Sequence, residues 1–332
     1  MKGKSILSLL LIFLLIFLLV AAGIRIGSFE TNWSTIFSAL FEYDPEIPEH
    51  YAIVELRLPR VLVALLAGGA LSLSGYLMQA MVNNPLADPY LLGTSSGASL
   101  GASVVYAGII PANIFTVSLF SFSGAILVTL VAIMIAYEQR RIDPTRLLLA
   151  GVALSALMVS STSLVTYMSP DDSRLKNIIY WTLGGFELAG WGKIPFLATV
   201  VVGLTFAFNF YQKQLTILLL GEERAENIGV NTRNLRWMVL LSCSLATGAA
   251  VSVAGPIGFA GLIIPHFVRA VYGVSGKYNI IFTVLWGAVF LLACDVFSRL
   301  LFPPAGVPLG IITSFVGIPF FVFLLGKKRF RF

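Results

Sequence analysis

Residues 58–82 read LPRVLVALLAGGALSLSGYLMQAMV, and this stretch decides the class of fold. It contains a single charged side chain, that of Arg60. A helix needs about 20 consecutive apolar residues to cross the hydrocarbon core of a bilayer, and this stretch supplies them. It therefore predicts a transmembrane helix.

Nine similar apolar windows accompany this one along the chain of 332 residues. Hydrophobic residues make up 58% of the sequence and charged residues 11%, whereas soluble domains carry roughly 25% charged residues. This composition excludes a water-soluble enzyme, a disordered chain and a single-span receptor. We predict an all-α polytopic membrane protein, one transmembrane domain over 1–332, with about ten spans at 6–26, 58–82, 90–107, 115–136, 147–168, 194–210, 235–254, 257–271, 280–302 and 307–325.

Two windows allow a second interpretation. Window 257–271 is short for a bilayer and contains Pro265, so nine spans plus a re-entrant segment is the alternative. Window 6–26 follows two lysines and precedes small residues, as the apolar part of a signal peptide does. Its length and the nine apolar windows behind it favour a first transmembrane helix.

The basic residues indicate the orientation, because cytoplasmic loops of membrane proteins carry an excess of Lys and Arg. With the N-terminus inside, ten spans place 15 of the 22 basic residues on the cytoplasmic side and 7 outside. We therefore expect both termini in the cytoplasm. Basic residues that set topology and contact lipid headgroups also account for the net charge of +6 without a nucleic-acid partner.

Two loops are external in this orientation. Loop 27–56 is acidic, and loop 169–192 contains a short amphipathic helix predicted over 173–183, which Gly184 and Gly185 end.

The longest cytoplasmic loop spans 211–234. It predicts two short helical pieces, 215–220 and 222–228, each closed by a glycine, Gly221 or Gly229.

The sequence carries no catalytic cluster and no metal-ligand spacing, so we expect neither an active site nor a bound metal. No phosphate-binding loop is complete, and ATP-driven transport would therefore need another polypeptide for hydrolysis. His266 is interpreted as a helix-end histidine. Asp295 and Arg299 lie four residues apart, the spacing of a local ion pair on a helix.

Small and hydroxylated residues mark two of the windows. Gly93, Gly97 and Gly101 repeat every four residues, which predicts close packing of one helix face. Window 147–168 is rich in hydroxyls, which either bond to their own backbone or line a solute pathway; the candidates for the pathway are Ser155, Ser160, Thr162 and Ser163.

Several motifs in order resemble one family: the permease subunits of ABC importers for iron-siderophore complexes, haem and cobalamin, called the FecCD or BtuC type. The resemblance covers about 55–325. Its motifs are RLPR at 57–60, GGAL at 68–71, NPLADP at 84–89, LLLAGVAL at 147–154, YW at 180–181, GGF at 184–186, GPIGF at 255–259 and IPH at 264–266.

The resemblance implies a BtuC-like type II ABC importer permease in the bacterial inner membrane. It also implies three kinds of partner: a second permease subunit, here expected to be an identical copy, two cytoplasmic ATP-binding subunits, and an external solute-binding protein that is periplasmic or a lipoprotein. The chain itself would then be a transport component and not an enzyme.

Three residue groups take roles from the resemblance. External arginines would dock the solute-binding protein, and the matching positions are Arg57, Arg60 and Arg299. A coupling helix would dock on the ATPase, with Ala225 and Ile228 on one side and charges on the other; its residues are Glu222, Glu223, Arg224, Ala225, Glu226, Ile228 and Gly229. A cytoplasmic gate would use Asn84, Pro85, Leu86, Pro144 and Thr145, of which Pro144 departs from the small polar residues of the family.

The resemblance favours a ferric siderophore as the solute, with haem or cobalamin as the alternative and molybdate a more distant one. A carrier or channel that works without ATP is the rival interpretation. It predicts activity of the isolated chain under an ion gradient.

Overall fold

The structure is a computed structural model that describes residues 2–27, 31–138, 141–169, 171–303 and 306–326. Each of the ten predicted windows contains a helix. The helices are α1 (Lys2–Arg25), α2 (Trp33–Phe41), α3 (Pro48–Tyr51), α4 (Leu58–Val82), α5 (Thr94–Tyr106), α6 (Ile114–Ala136), α7 (Pro144–Tyr167), α8 (Asp172–Leu183), α9 (Ile194–Leu218), α10 (Glu222–Asn227), α11 (Thr232–Ala254), α12 (Ala260–Tyr272), α13 (Asn279–Leu301) and α14 (Leu309–Gly326). A two-residue hairpin, β1 (Tyr137–Glu138) with β2 (Arg141–Ile142), joins α6 to α7.

Seven of these helices are long and apolar enough to cross a membrane, and α5, α12 and α14 are shorter. With 13 residues, α12 rises only about 20 Å, less than the thickness of the hydrocarbon core. Window 257–271 therefore holds a helix as short as α5, which also has 13 residues, and both sequence interpretations, a short eighth span or a re-entrant segment, are compatible with it. The hydropathy window included apolar residues that are not helical, because Phe259 has a left-handed backbone and starts the helix later.

The helices differ strongly in burial. The most apolar stretch of α4 is 83% buried, whereas the corresponding stretches of α1 and α7 are 11% buried. Helix α4 packs against α9, α11, α12 and α13, and so forms the centre of the bundle. The apolar surfaces of α1 and α7 are left for lipid or for another protein.

Glycines let helices approach closely at several crossings, including those of α5 with α6 and of α4 with α13. A Cβ added to Gly97 of α5 would lie 2.4 Å from the carbonyl oxygen of Gly124 in α6. A Cβ on Gly68 of α4 would lie 2.2 Å from the carbonyl oxygen of Gly287 in α13. The predicted close packing at Gly97 is thus present. It is also present at Gly101, where a Cβ would lie 2.1 Å from the carbonyl oxygen of Phe120 in α6. Gly93 has φ +80 and forms the turn before α5, and a Cβ there would lie 2.6 Å from Cγ1 of Val128.

The loops hold more helix than the sequence indicates. The loop 27–56, which is predicted to be external, includes α2, α3 and a π-helical segment, Ala52–Arg57, that continues into α4. Helix α8 lies within one residue of the predicted external helix. In the cytoplasmic loop, the separate piece predicted over 215–220 is wrong, because α9 continues unbroken to Leu218.

Candidate functional site

A buried carboxylate organises the predicted external end of the bundle. Asp295 of α13 has no exposed side-chain surface, and its Oδ1 lies 2.9 Å from both Nε and Nη2 of Arg60. Its Oδ2 lies 2.8 Å from Nη2 of Arg299, the local pair that the spacing predicts. Glu187, which is exposed, lies 3.5 Å from Arg60. Arg60 therefore bridges the buried acid and the surface.

The other two arginines hold the C-terminal end of α1. Nη1 of Arg57 donates to the carbonyl oxygens of Ile24 (2.9 Å) and Arg25 (3.0 Å). Nη1 of Arg299 donates to the carbonyl oxygens of Gly23 (2.8 Å) and Ile26 (2.7 Å). The last carbonyls of a helix lack partners within the helix, and these guanidinium groups supply them.

This placement changes the interpretation of the arginines. Arg57 is 6% exposed, and the side chain of Arg299 is 9% exposed, so both are committed to α1. Arg60, whose side chain is 20% exposed, reaches the exposed acid Glu187. The side-chain pattern of a sequence gives no sign of backbone carbonyl partners, which is why all three positions were predicted alike.

At the predicted cytoplasmic end, α10 is held rigidly at both of its ends. Gly221 precedes it with φ +104, and Gly229 follows with φ +91. The amides of Gly229 and Val230 donate to the carbonyl oxygens of Glu226 (2.9 Å) and Ala225 (3.0 Å), a Schellman cap. This cap fixes how the chain leaves the helix.

Side chains attach α10 to α11. Nη2 of Arg236 lies 2.9 Å from Oε2 of Glu222, and its Nη1 donates to the carbonyl oxygen of Ile142 at 3.1 Å. The hydroxyl of Thr232 donates to Oε1 of Glu226 at 2.7 Å. Two of the three acids of α10, Glu222 and Glu226, thereby tie the helix to the bundle.

The two apolar side chains of this segment face opposite ways. Ala225 is fully buried in the core with Leu215 and Leu235, whereas Ile228 is 62% exposed. The prediction that they share one side is wrong, because Ile228 lies past the last helical turn, in the cap. The exposed surface of the segment consists of Glu223, Arg224, Glu226, Asn227, Ile228 and Gly229.

The predicted gate residues form two rigid turns. Asn83 ends α4 with φ 52, and Oδ1 of Asn84 accepts from the amide of Leu86 at 2.9 Å. Asp143 caps α7 by accepting from the amide of Thr145 at 2.7 Å. Pro144 occupies the first turn of α7, where a missing N–H costs no hydrogen bond.

The family model of the FecCD transport family matches residues 11–327. The chain belongs to the FecCD transport family. The resemblance carried by the sequence motifs is therefore confirmed, and the chain is a multi-pass membrane protein of a transport family, in agreement with the predicted location in the inner membrane.

Relatives of this FecCD chain are similar over most of its length. It is 35% identical to the iron(3+)-hydroxamate import system permease protein FhuB of Bacillus subtilis (strain 168), over 92% of this chain and 79% of the relative. It is 35% identical to the hemin transport system permease protein HmuU of Yersinia pestis, over 83% of each chain. Its fold matches an inward-facing metal-chelate type ABC transporter with a TM-score of 0.84 and 27% identity, covering 96% of this chain and 98% of the other.

In this FecCD chain the hydroxyls of α7 mostly bond to the helix itself. Thr162 donates to the carbonyl oxygen of Met158 (2.9 Å), and Ser163 to that of Val159 (3.0 Å). Ser161 does the same with Leu157. For these three residues the first predicted alternative therefore holds, namely that the hydroxyls bond to their own helix backbone. Two further pathway candidates also lie on α7. The side chain of Ser155 is half-buried, and that of Ser160 is exposed.

A second polar cluster lies inside the bundle and escaped the sequence analysis. Nε2 of Gln212 on α9 donates to the hydroxyl of Tyr76 on α4 at 2.7 Å. The guanidinium of Arg269 on α12 lies 5.1 Å from the centre of the Tyr76 ring. Three residues from three separate helices meet here, and no spacing in the sequence connects them.

Proposed function

We propose that this FecCD-family chain is the permease subunit of an ATP-driven importer that carries a ferric siderophore inward across the inner membrane. The family match over residues 11–327 carries the proposal. The hydroxamate-transporting relative supports an iron chelate. The hemin-transporting relative supports haem as the alternative solute, with cobalamin next and molybdate more distant.

The solute is chosen outside the membrane in this scheme, by a binding protein that is periplasmic or a lipoprotein. The test is calorimetric titration of the binding protein encoded next to this chain with a ferric hydroxamate, haem and cobalamin. Tight binding of the ferric hydroxamate alone supports the proposal. Tight binding of haem or cobalamin instead refutes the siderophore assignment and leaves the importer assignment standing.

We assign ATP hydrolysis to two partner subunits that dock on α10. The helix is short, anchored through Ala225 and Glu222, and exposes Arg224 and Ile228, as a piece that fits a groove on another protein would. Movement of the ATPases would then be transmitted through the capped helix to α9 and α11.

The docking role is tested by Ile228→Glu, with Lys213→Glu on the exposed surface of α9 as the matched control. The side chain of Ile228 is 62% exposed, so the fold is retained. We expect Ile228→Glu to abolish co-purification of the ATPase and uptake in cells, while the control keeps both. Full uptake by Ile228→Glu refutes the docking role.

Solute uptake by the purified chain alone under an ion gradient supports the ATP-independent carrier.

We assign docking of the binding protein to Arg60, and positioning of that surface to Arg57 and Arg299. A guanidinium at the surface pairs well with a partner's carboxylate, and such a charge-assisted bond contributes about 1.5–3 kcal/mol. Arg60→Gln should therefore weaken the affinity for the binding protein by at least tenfold, while Lys176→Gln, at another exposed external cation, leaves it unchanged. Equal affinities of the wild type and Arg60→Gln contradict the assignment.

We assign the solute pathway to the space between two copies of this chain, lined by α7. The helix combines exposed apolar residues with the hydroxyl of Ser160, a weakly polar surface that suits a large chelate. The turns at Asn84–Leu86 and Pro144–Thr145 would close its cytoplasmic end.

Cross-linking with a long bifunctional maleimide, which can span a pathway wide enough for the solute, tests this arrangement, since both native cysteines are buried. Ser160→Cys should give a cross-linked dimer, and Thr199→Cys on α9 should not. A monomer in both cases contradicts a homodimer with α7 at its interface.

A further inference from the structure

A cavity of about 800 Å³ opens between the last turns of α1 and α13. Apolar side chains of both helices form its walls, including Phe17, Leu18 and Leu300. Two arginines, Arg25 and Arg299, line it as well, and no acidic residue is among the described residues that do. The cavity is therefore apolar in its depth and positively charged where α1 ends.

The two arginines differ in what they offer a ligand. Arg299 donates to two carbonyl oxygens of α1 and pairs with Asp295, so it belongs to the wall. Arg25 is exposed, and its guanidinium lies 5.7 Å from the centre of the Trp33 ring. A guanidinium held on an aromatic face is oriented and can bind a phosphate through two parallel N–H donors.

Helix α2 locates this guanidinium at the membrane surface. Its apolar residues Trp33, Phe37, Leu40 and Phe41 lie on one face and are 47%, 59%, 45% and 81% exposed. The adjacent face is buried against the bundle. An amphipathic helix with an uncovered aromatic face is stable in the plane of the lipid headgroups, where tryptophan is also enriched.

We propose that this cavity binds a phospholipid with an anionic headgroup, the phosphodiester on Arg25 and an acyl chain along Phe17, Leu18 and Leu300. Inorganic phosphate shares the headgroup chemistry, but it gains nothing from the apolar walls. The absence of carboxylates from the described lining favours an anionic over a zwitterionic lipid. The site is independent of the proposed transport function.

Fluorescence quenching of Trp33 tests the proposal. The full chain is placed in phosphatidylcholine nanodiscs that contain phosphatidylglycerol, with bromine on the acyl chains of one lipid or the other. The signal of Trp33→Phe is subtracted to isolate this tryptophan. One cation near the surface contributes about 1 kcal/mol, so we expect about a fivefold preference for phosphatidylglycerol.

Three variants decide the outcome. Arg25→Gln should remove the preference, Arg25→Lys should retain only part of it because an ammonium lacks the two parallel donors, and Lys176→Gln should leave it unchanged. Equal quenching by both lipids in the wild type, or a preference that survives Arg25→Gln, overturns the proposal. Loss of the preference on adding inorganic phosphate, but not chloride of equal ionic strength, assigns the site to free phosphate and overturns the lipid.

Discussion

Replacing Asp295 by asparagine should destabilise the bundle more than any other single change at its external end. Breaking a buried ion pair from one side costs about 3–5 kcal/mol, because the remaining charge stays buried without a partner. Asp295→Asn removes the buried counter-ion of both Arg60 and Arg299, which keep only Glu187 and the carbonyl oxygens at the end of α1 as the partners described above. The side chain of Arg60 is 20% exposed and regains some water, so the lower part of that range, about 3 kcal/mol, is expected.

The cost of Arg60→Gln in free energy of unfolding provides the comparison for this prediction. That variant keeps the pair between Asp295 and Arg299 at 2.8 Å and loses partly exposed bonds, so its cost should be about 1–2 kcal/mol. Because the two residues share a contact, the double variant should cost at least 0.5 kcal/mol less than the sum of the single ones.

Equilibrium unfolding in mixed detergent and SDS micelles measures all three free energies of unfolding. Lys176→Gln, an exposed external cation, serves as control and should change the free energy by less than about 0.5 kcal/mol. If Asp295→Asn unfolds like the wild type, or if Arg60→Gln is equally costly, the carboxylate does not organise this end of the bundle.

Three further changes test other parts of the structure. Ala225→Asp puts a charge into a fully buried position, so α10 should detach and ATPase co-purification should be lost, whereas Ala225→Ser should retain it. Gly97→Leu forces a side chain against a carbonyl oxygen that is 2.4 Å from the Cβ position; overpacking should cost about 1–3 kcal/mol in the same unfolding assay, and Gly190→Ala, with open space around it, should cost little. Asp171 caps α8, and its hydrogen bonds with Ser173 hold the pKa of Asp171 below the ordinary value. The cap is therefore present at neutral pH and is lost only as the pH falls through that lowered pKa, so Asp171→Ala, but not Asp171→Asn, should speed amide exchange at the start of α8 at pH 7. Equal exchange in both variants would contradict the capping role.

The helices could be predicted from the sequence because burial in lipid requires long apolar runs, which composition reveals directly. Their bounds could not. Apolar residues such as Ile257 continue a hydropathy window although the backbone there is not helical, and polar residues such as Gln212 interrupt a window although the helix continues through them. Hydropathy reports the surroundings of a side chain, whereas a helix begins and ends where its backbone turns, as α12 begins after Phe259 with φ 69.

Some parts of the candidate site could likewise be predicted from the sequence, and others could not. The pairing of Asp295 with Arg299 follows from helical spacing, and α10 follows from its two flanking glycines. The role of Arg57 depends on carbonyl groups at the end of α1, which the side-chain pattern does not display. Ala225 and Ile228 share one side only if a regular helix continues through Ile228, whereas α10 ends one residue earlier, at Asn227.

These contacts bear on how such a bundle could be moved. One end is fixed by Asp295 between two arginines, and α10 is fixed by its cap and by Arg236. Between them, α4 crosses α13 and α5 crosses α6 at glycine contacts too close for a methyl group. A close-packed interior resists gradual deformation and moves instead between discrete arrangements. Since α10 is attached rigidly to α9 and α11, a displacement applied to α10 must shift those two helices as rigid bodies. A charge at Ile228 that blocks the attachment of a partner should therefore abolish that movement while leaving the resting fold unchanged.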